Sequence, residues 1–156
     1  MKKLEIILII GAVVGLLMSL FDIPLNSLFV SLFYLALGLL YFYFGFALFN
    51  GIRLRNIFKV DSYKGVGPWR IAIAIGTGIA LSNLTIGFMF SIRSYPMAET
   101  LLIFGIVLAA IMIILTLIIN ARDKNPFYRN IIMRCLVFLI IAVAFLLIPG
   151  HIFEKP

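Results

Sequence analysis

Apolar residues gather into five long stretches, at about 4–21, 25–50, 69–92, 97–120 and 127–149, with short polar breaks between them. A helix that crosses a hydrocarbon core of ~30 Å needs about 20 apolar residues, and each stretch meets or nearly meets that length. The breaks carry the residues that end helices. Asp22 and Pro24 fall in the first, Pro68 stands before Trp69 in the second, and Pro96 lies in the third. In the fourth, Asn125 and Pro126 read as a helix N-cap followed by proline at the first helical position. Strands are excluded, because the runs are too long and a membrane barrel would alternate apolar with polar residues. The pattern predicts an all-α integral membrane protein. It has five transmembrane helices in a single membrane domain over 1–156, with a basic loop at 51–68.

Composition agrees with this pattern. The 156 residues are 64% hydrophobic and 12% charged, with a mean hydropathy of +1.21. Soluble domains are roughly 45–50% apolar and about 25% charged, so this chain lacks the polar skin a soluble globule needs. Lys2 and Lys3 before an apolar run imitate a signal peptide. No small-x-small cleavage site follows, and a second apolar run begins almost at once, so the first segment reads as a retained signal-anchor helix. The single Cys135 cannot form an internal disulfide and reads as a small buried hydrophobe.

The net charge of +7 reflects topology rather than nucleic-acid binding. With five spans and the N-terminus inside, the inner side holds Lys2, Lys3, Arg53, Arg55, Lys59, Lys64, Arg70, Arg122, Lys124, Arg129 and Arg134. The outer side keeps Arg93 and Lys155. Acidic residues divide evenly: Glu5, Asp61 and Asp123 inside, Asp22, Glu99 and Glu154 outside. So uneven a Lys/Arg distribution over short loops predicts an N-in, C-out orientation. The corresponding location is a bacterial inner membrane.

Shifting the chain by 72 residues aligns GLLMSLFDIP at 15–24 with GFMFSIRSYP at 87–96, without gaps. Gly15 meets Gly87, Ser19 meets Ser91 and Pro24 meets Pro96. A duplicated helical hairpin plus a fifth helix would be a parallel repeat, its axis along the membrane normal. The same stretch, 87–96, is similar to the first hairpin of GldL-type gliding-motility membrane proteins of the Bacteroidota. Gly87, Phe90, Ile92 and Pro96 match that family's pattern, Tyr95 stands for its turn aromatic, and Ala98 and Gly105 fit its small residues. The resemblance covers about 70–120 and echoes more faintly in 4–50. It departs at Ser91 and Ser94, where the family has lysine and histidine, and in 97–120, which has no mid-helix carboxylate. The resemblance implies a hairpin architecture and an association with envelope complexes, without the ion-driven motor.

Polar groups inside apolar helices are functional candidates, since unpaired they are costly in hydrocarbon. The third helix carries Thr77, Ser82, Asn83 and Thr85, with Ser82 and Asn83 near its midpoint. Asn83 reads either as a substrate or ion contact or as an interhelical hydrogen bond. Arg134, about two turns into the fifth helix, is expected to snorkel or pair with a lipid phosphate. An ion-pathway role would need a buried acid, and none is evident, because Glu5 and Glu99 sit at helix starts where the macrodipole favours anions. Small residues form stripes at helix-packing spacing: Gly11, Gly15 and Ser19; Ala74, Gly78 and Ser82; Gly105 and Ala109. The second helix is rich in aromatics, including YFYFGF at 41–46. They read as interfacial anchors and packing groups, with Tyr41 and Tyr43 on different sides. In the loop, Ile52, Ile57 and Phe58 interleave with Arg53, Arg55 and Lys59. That segment is expected to continue the second helix along the headgroups, with Trp69 in the same interfacial belt.

Three function classes follow. An enzyme fits worst: His151 lies in a C-terminal tail, and there is no CxxC, HExxH or carboxylate pair beside a base, nor any cofactor or metal motif. YKGVGPW lacks the spacing of a phosphate loop. The leading expectation is a non-catalytic subunit or scaffold of a membrane complex, envelope- or gliding-related by its resemblance. It would contact anionic lipids and either other membrane subunits or copies of itself. The alternative is a small transporter or channel whose pathway is completed in a homo-oligomer.

Overall fold

The computed structural model describes residues 1–123 and 125–147. It contains five α-helices, each long and apolar enough to span a membrane: α1 (Lys2–Leu20), α2 (Asn26–Phe49), α3 (Pro68–Ile92), α4 (Ala98–Arg122) and α5 (Pro126–Leu147). Strands are absent among the described residues. Helix limits differ from the apolar stretches by a few residues, because the helix outlasts hydrophobicity where polar residues still favour it. Thus α1 takes in Lys2 and Lys3, and α4 runs on through Asn120 to Arg122. Asn125 caps α5 as its spacing predicts, its Oδ1 accepting the Phe127 N–H at 3.0 Å. The end of the 127–149 stretch, Lys124, His151, Glu154 and Lys155 lie outside the described residues.

Successive helices run antiparallel, and α3 is the centre, packed on α2, α4 and α5. What lets them approach is glycine. A Cβ on Gly78 would fall 2.5 Å from the Tyr41 carbonyl oxygen, and one on Gly45 would fall 2.9 Å from the Gly78 Cα, so α2 and α3 touch backbone to backbone. Gly15 meets the backbone of Val30, and Gly87 meets that of Leu102, in each case across a hairpin. Around these contacts lies an apolar core that includes Val30, Ala80, Leu84, Phe88 and Leu102. Such close backbone contact adds dispersion between the helices.

The two hairpins share their turn geometry at the 72-residue offset. Asp22 and Ser94 have φ of 56° and 50°, and Leu25 and Met97 both have φ of 70°. The Phe21 and Arg93 N–H groups donate to Leu17 and Met89 at 3.0 Å, and those of Ile23 and Tyr95 donate to Met18 and Phe90 at 2.9 Å. Each is a Schellman-type helix end followed by proline, a motif in which the residue after the left-handed one often packs on the last turn. Tyr95 does so edge-on to Phe90, with ring centroids 5.3 Å apart. Left-handed backbone at non-glycine residues costs roughly 1–2 kcal/mol each, so its recurrence at matched positions is a specific feature.

The connection between α2 and α3 departs from the expectation of a helix lying along the headgroups. α2 stops at Phe49, Gly51 turns the chain with φ of 75°, and two short 3-10 turns follow, Leu54–Asn56 and Val60–Tyr63. Ile52 and Ile57 tuck against Ala47 beside Met1, Phe44, Phe46 and Tyr63. Phe58, 95% exposed, points away. Folding back buries Ile52 and Ile57 at 8% and 7% exposure.

Candidate functional site

The described basic residues other than Arg93 gather at one end of the bundle, where α1, α3 and α5 begin and α2 and α4 finish. Just below that end, three helices contribute to one polar cluster. Glu5 stands in the first turn of α1. Tyr41 lies eight residues before the end of α2, and Arg134 lies eight residues after the start of α5, so each is about 12 Å along its helix from that end.

The Glu5 carboxylate accepts from both terminal nitrogens of Arg134, with Nη2 to Oε2 at 3.1 Å, and the Tyr41 hydroxyl donates to Oε1 at 3.1 Å. Glu5 is 3% exposed and Tyr41 1% exposed. This corrects the expectation that no buried acid is available to Arg134: Glu5 stands at a helix start, as its position suggests, but is buried there as the partner of Arg134, 129 residues away in the chain. Bidentate pairing with a third hydrogen bond is what a buried carboxylate requires if its desolvation is to be offset. Aromatic rings enclose the cluster. The Arg134 guanidinium lies 5.4 Å from the Phe49 ring centroid, and Tyr41 packs between Phe49 and Phe138.

Above the ion pair a cleft of about 390 Å³ opens, lined by Lys2, Glu5 and Ile6 of α1, Leu48 and Phe49 of α2, and α5 residues that include Phe127, Asn130, Met133 and Arg134. The ion pair bridges α1 and α5 where they lack the extended packing that joins α1 to α2 or α4 to α5. A second groove, of about 670 Å³, lies at the same end between α3 and the α4–α5 turn. Trp69, Arg70, Arg122, Asp123 and Tyr128 line it, and Arg70 stacks 4.6 Å over Phe127.

The other sequence candidates are distributed differently. Gly11 and Gly15 face Phe33 and Val30 of α2, while Ser19, further along, is half-buried. Ala74, Gly78 and Ser82 line the α2 contact, and Gly105 takes Leu84 with Ala109 buried nearby. Asn83 donates to Ile79 O at 2.9 Å and Thr85 to Leu81 O at 2.7 Å, both within α3, so neither bridges helices through these bonds. Arg53, Arg55, Lys59 and Trp69 are exposed at the basic end. Tyr41 turns into the bundle and Tyr43, 60% exposed, turns out.

Glu5 and Tyr41 are the functional groups that sequence reasoning passed over. The available signal was depth: Tyr41 and Arg134 stand equally far from the same end, and Glu5 is the one acid set inside the apolar run of α1. Among the described residues, no three His, Cys, Asp or Glu side chains are grouped to hold a metal ion. No family model, curated protein or solved structure matches the chain.

Proposed function

We propose that this chain is a non-catalytic subunit or scaffold of a membrane complex, inserted N-in and C-out in a bacterial inner membrane. The observation that carries this reading is the state of its polar groups inside the helices. The Glu5 charge is met by Arg134 and Tyr41, while Asn83, Thr85 and Thr116 donate to carbonyls of their own helices. The Glu5 cluster fastens α1, α2 and α5 together, and the other three are satisfied within their own helices. The surfaces left for recognition are the apolar outer faces of α1, α2, α4 and α5, including Ile10, Leu32, Ile103 and Ile140, which suit lipid and the helices of other subunits or of a second copy. The matched turn geometry supports a duplicated hairpin followed by a fifth helix. The association with envelope or gliding complexes rests on the hairpin resemblance.

Transport is the second reading, and its support is the cleft that reaches the Glu5–Arg134 pair from the basic end. The two separate by experiment. Native mass spectrometry after gentle extraction through an N-terminal tag should show a stoichiometric protein partner. A bare chain or homo-oligomer, together with a solute flux in vesicles that Glu5→Gln abolishes, would replace the subunit reading with the transport one.

A further inference from the structure

We propose that the cleft between α1 and α5 binds the phosphate of an anionic phospholipid, through Lys2, Arg134 and Asn130.

Charge is the first argument. Lys2 and Arg134 line the cleft together with a single carboxylate, Glu5, and Lys2 makes no ion pair among the described residues. One positive charge is left over, the complement of a phosphodiester.

The second argument is the order in which an entering group meets the charges. The Glu5 side chain is 4% exposed and that of Arg134 is 31% exposed, so an entering group meets the arginine side chain more readily than the carboxylate. Of its five N–H donors, the carboxylate engages those on Nη1 and Nη2 that point towards it. Held by Glu5 on one side and by the Phe49 ring on another, the guanidinium is already oriented. It would lose little side-chain entropy on binding an anion. Asn130, exposed one turn earlier on α5, adds an amide donor at the rim.

The shape favours a lipid over a free anion. Ile6 and Met133 line the cleft and are each more than half exposed on the outside of the bundle. The cleft therefore opens sideways, from a cationic head onto the apolar surface that continues along α1 through Ile10 and along α5 through Val137. A phosphate with acyl chains fills both parts, whereas a soluble phosphate uses the first alone.

The test uses the full chain in mild detergent, titrated separately with phosphatidylglycerol, phosphatidylcholine and inorganic phosphate, with adducts counted by native mass spectrometry. One phosphatidylglycerol should bind more tightly than phosphatidylcholine. Lys2→Gln should weaken it roughly fivefold, the weight of one basic residue near an anionic surface, and Asn130→Leu should weaken it as well. Both side chains are exposed and stand outside the ion pair, so thermal unfolding without lipid should stay unchanged. Equal binding of the two lipids, or unaltered binding in both variants, would overturn the proposal. So would saturation by inorganic phosphate that blocks phosphatidylglycerol, since the ligand would then be a soluble anion. None of these outcomes depends on whether a protein partner is found.

Discussion

A carboxylate 3% exposed in an apolar bundle is tolerable only while its partners stay in place. Removing one member of a buried ion pair leaves an uncompensated charge, and the cost is typically about 3–5 kcal/mol. Arg134→Met should therefore destabilise the folded chain by roughly that amount. Glu5→Gln with Arg134→Met should recover most of it, because no net charge then remains buried. Tyr41→Phe, which removes one hydrogen bond, should cost about 1–3 kcal/mol. Thermal unfolding of the four proteins followed by circular dichroism measures the set. If the double variant is no more stable than Arg134→Met, the pair is not the reason for the loss. Sequence reasoning recognised Arg134 as unusual but placed Glu5 with ordinary helix-start acids. The two residues are 129 apart in the chain, and their meeting depends on how α1 and α5 are arranged around α2.

Between helices, contact is decided where a side chain is missing. Gly78 stands against the Tyr41 carbonyl oxygen, and a methyl group there would lie 2.5 Å from an atom that cannot rotate away. Gly78→Ala should force α2 and α3 apart and destabilise by about 1–3 kcal/mol, the usual cost of overpacking. Gly67→Ala is the matched control, since nothing lies within 4 Å of its added Cβ. Equal melting temperatures for the two variants would show that the close approach is not needed. Small-residue spacing identified Gly11, Gly15, Gly78 and Gly105 in advance, because a stripe on one face is local information. Gly38 and Gly45 stood unremarked within an aromatic-rich helix. Their role depends on facing Ser82 and Gly78 of another element.

For the whole molecule the central question is orientation, and the fold makes it measurable. The native Cys135 is buried, so an introduced cysteine can be read without removing it. Phe58→Cys, at the basic end, should react with a membrane-impermeant maleimide only from the cytoplasmic side. Tyr95→Cys, in the turn at the opposite end, should react only from the outer side. Labelling of both from one side would contradict the antiparallel spans, and reversed labelling would place the N-terminus outside. The basic residues make the N-in expectation legible from composition and order alone.

Hydrophobic run length, helix-breaking residues and charge placement are properties of contiguous sequence. They were sufficient for five helices, for their approximate limits and for the expected topology. The 72-residue echo was legible for the same reason, since each turn is built from its own few residues. The fate of the 51–67 segment and the pairing of Glu5, Tyr41 and Arg134 were settled by tertiary structure. Ile52 and Ile57 find Ala47 and its neighbours only when α2 ends and the chain folds back. A buried charge is likewise stable only when a distant helix supplies its counterion. Pairing energies of this kind depend on distance in space, and no period or composition along the chain encodes that distance.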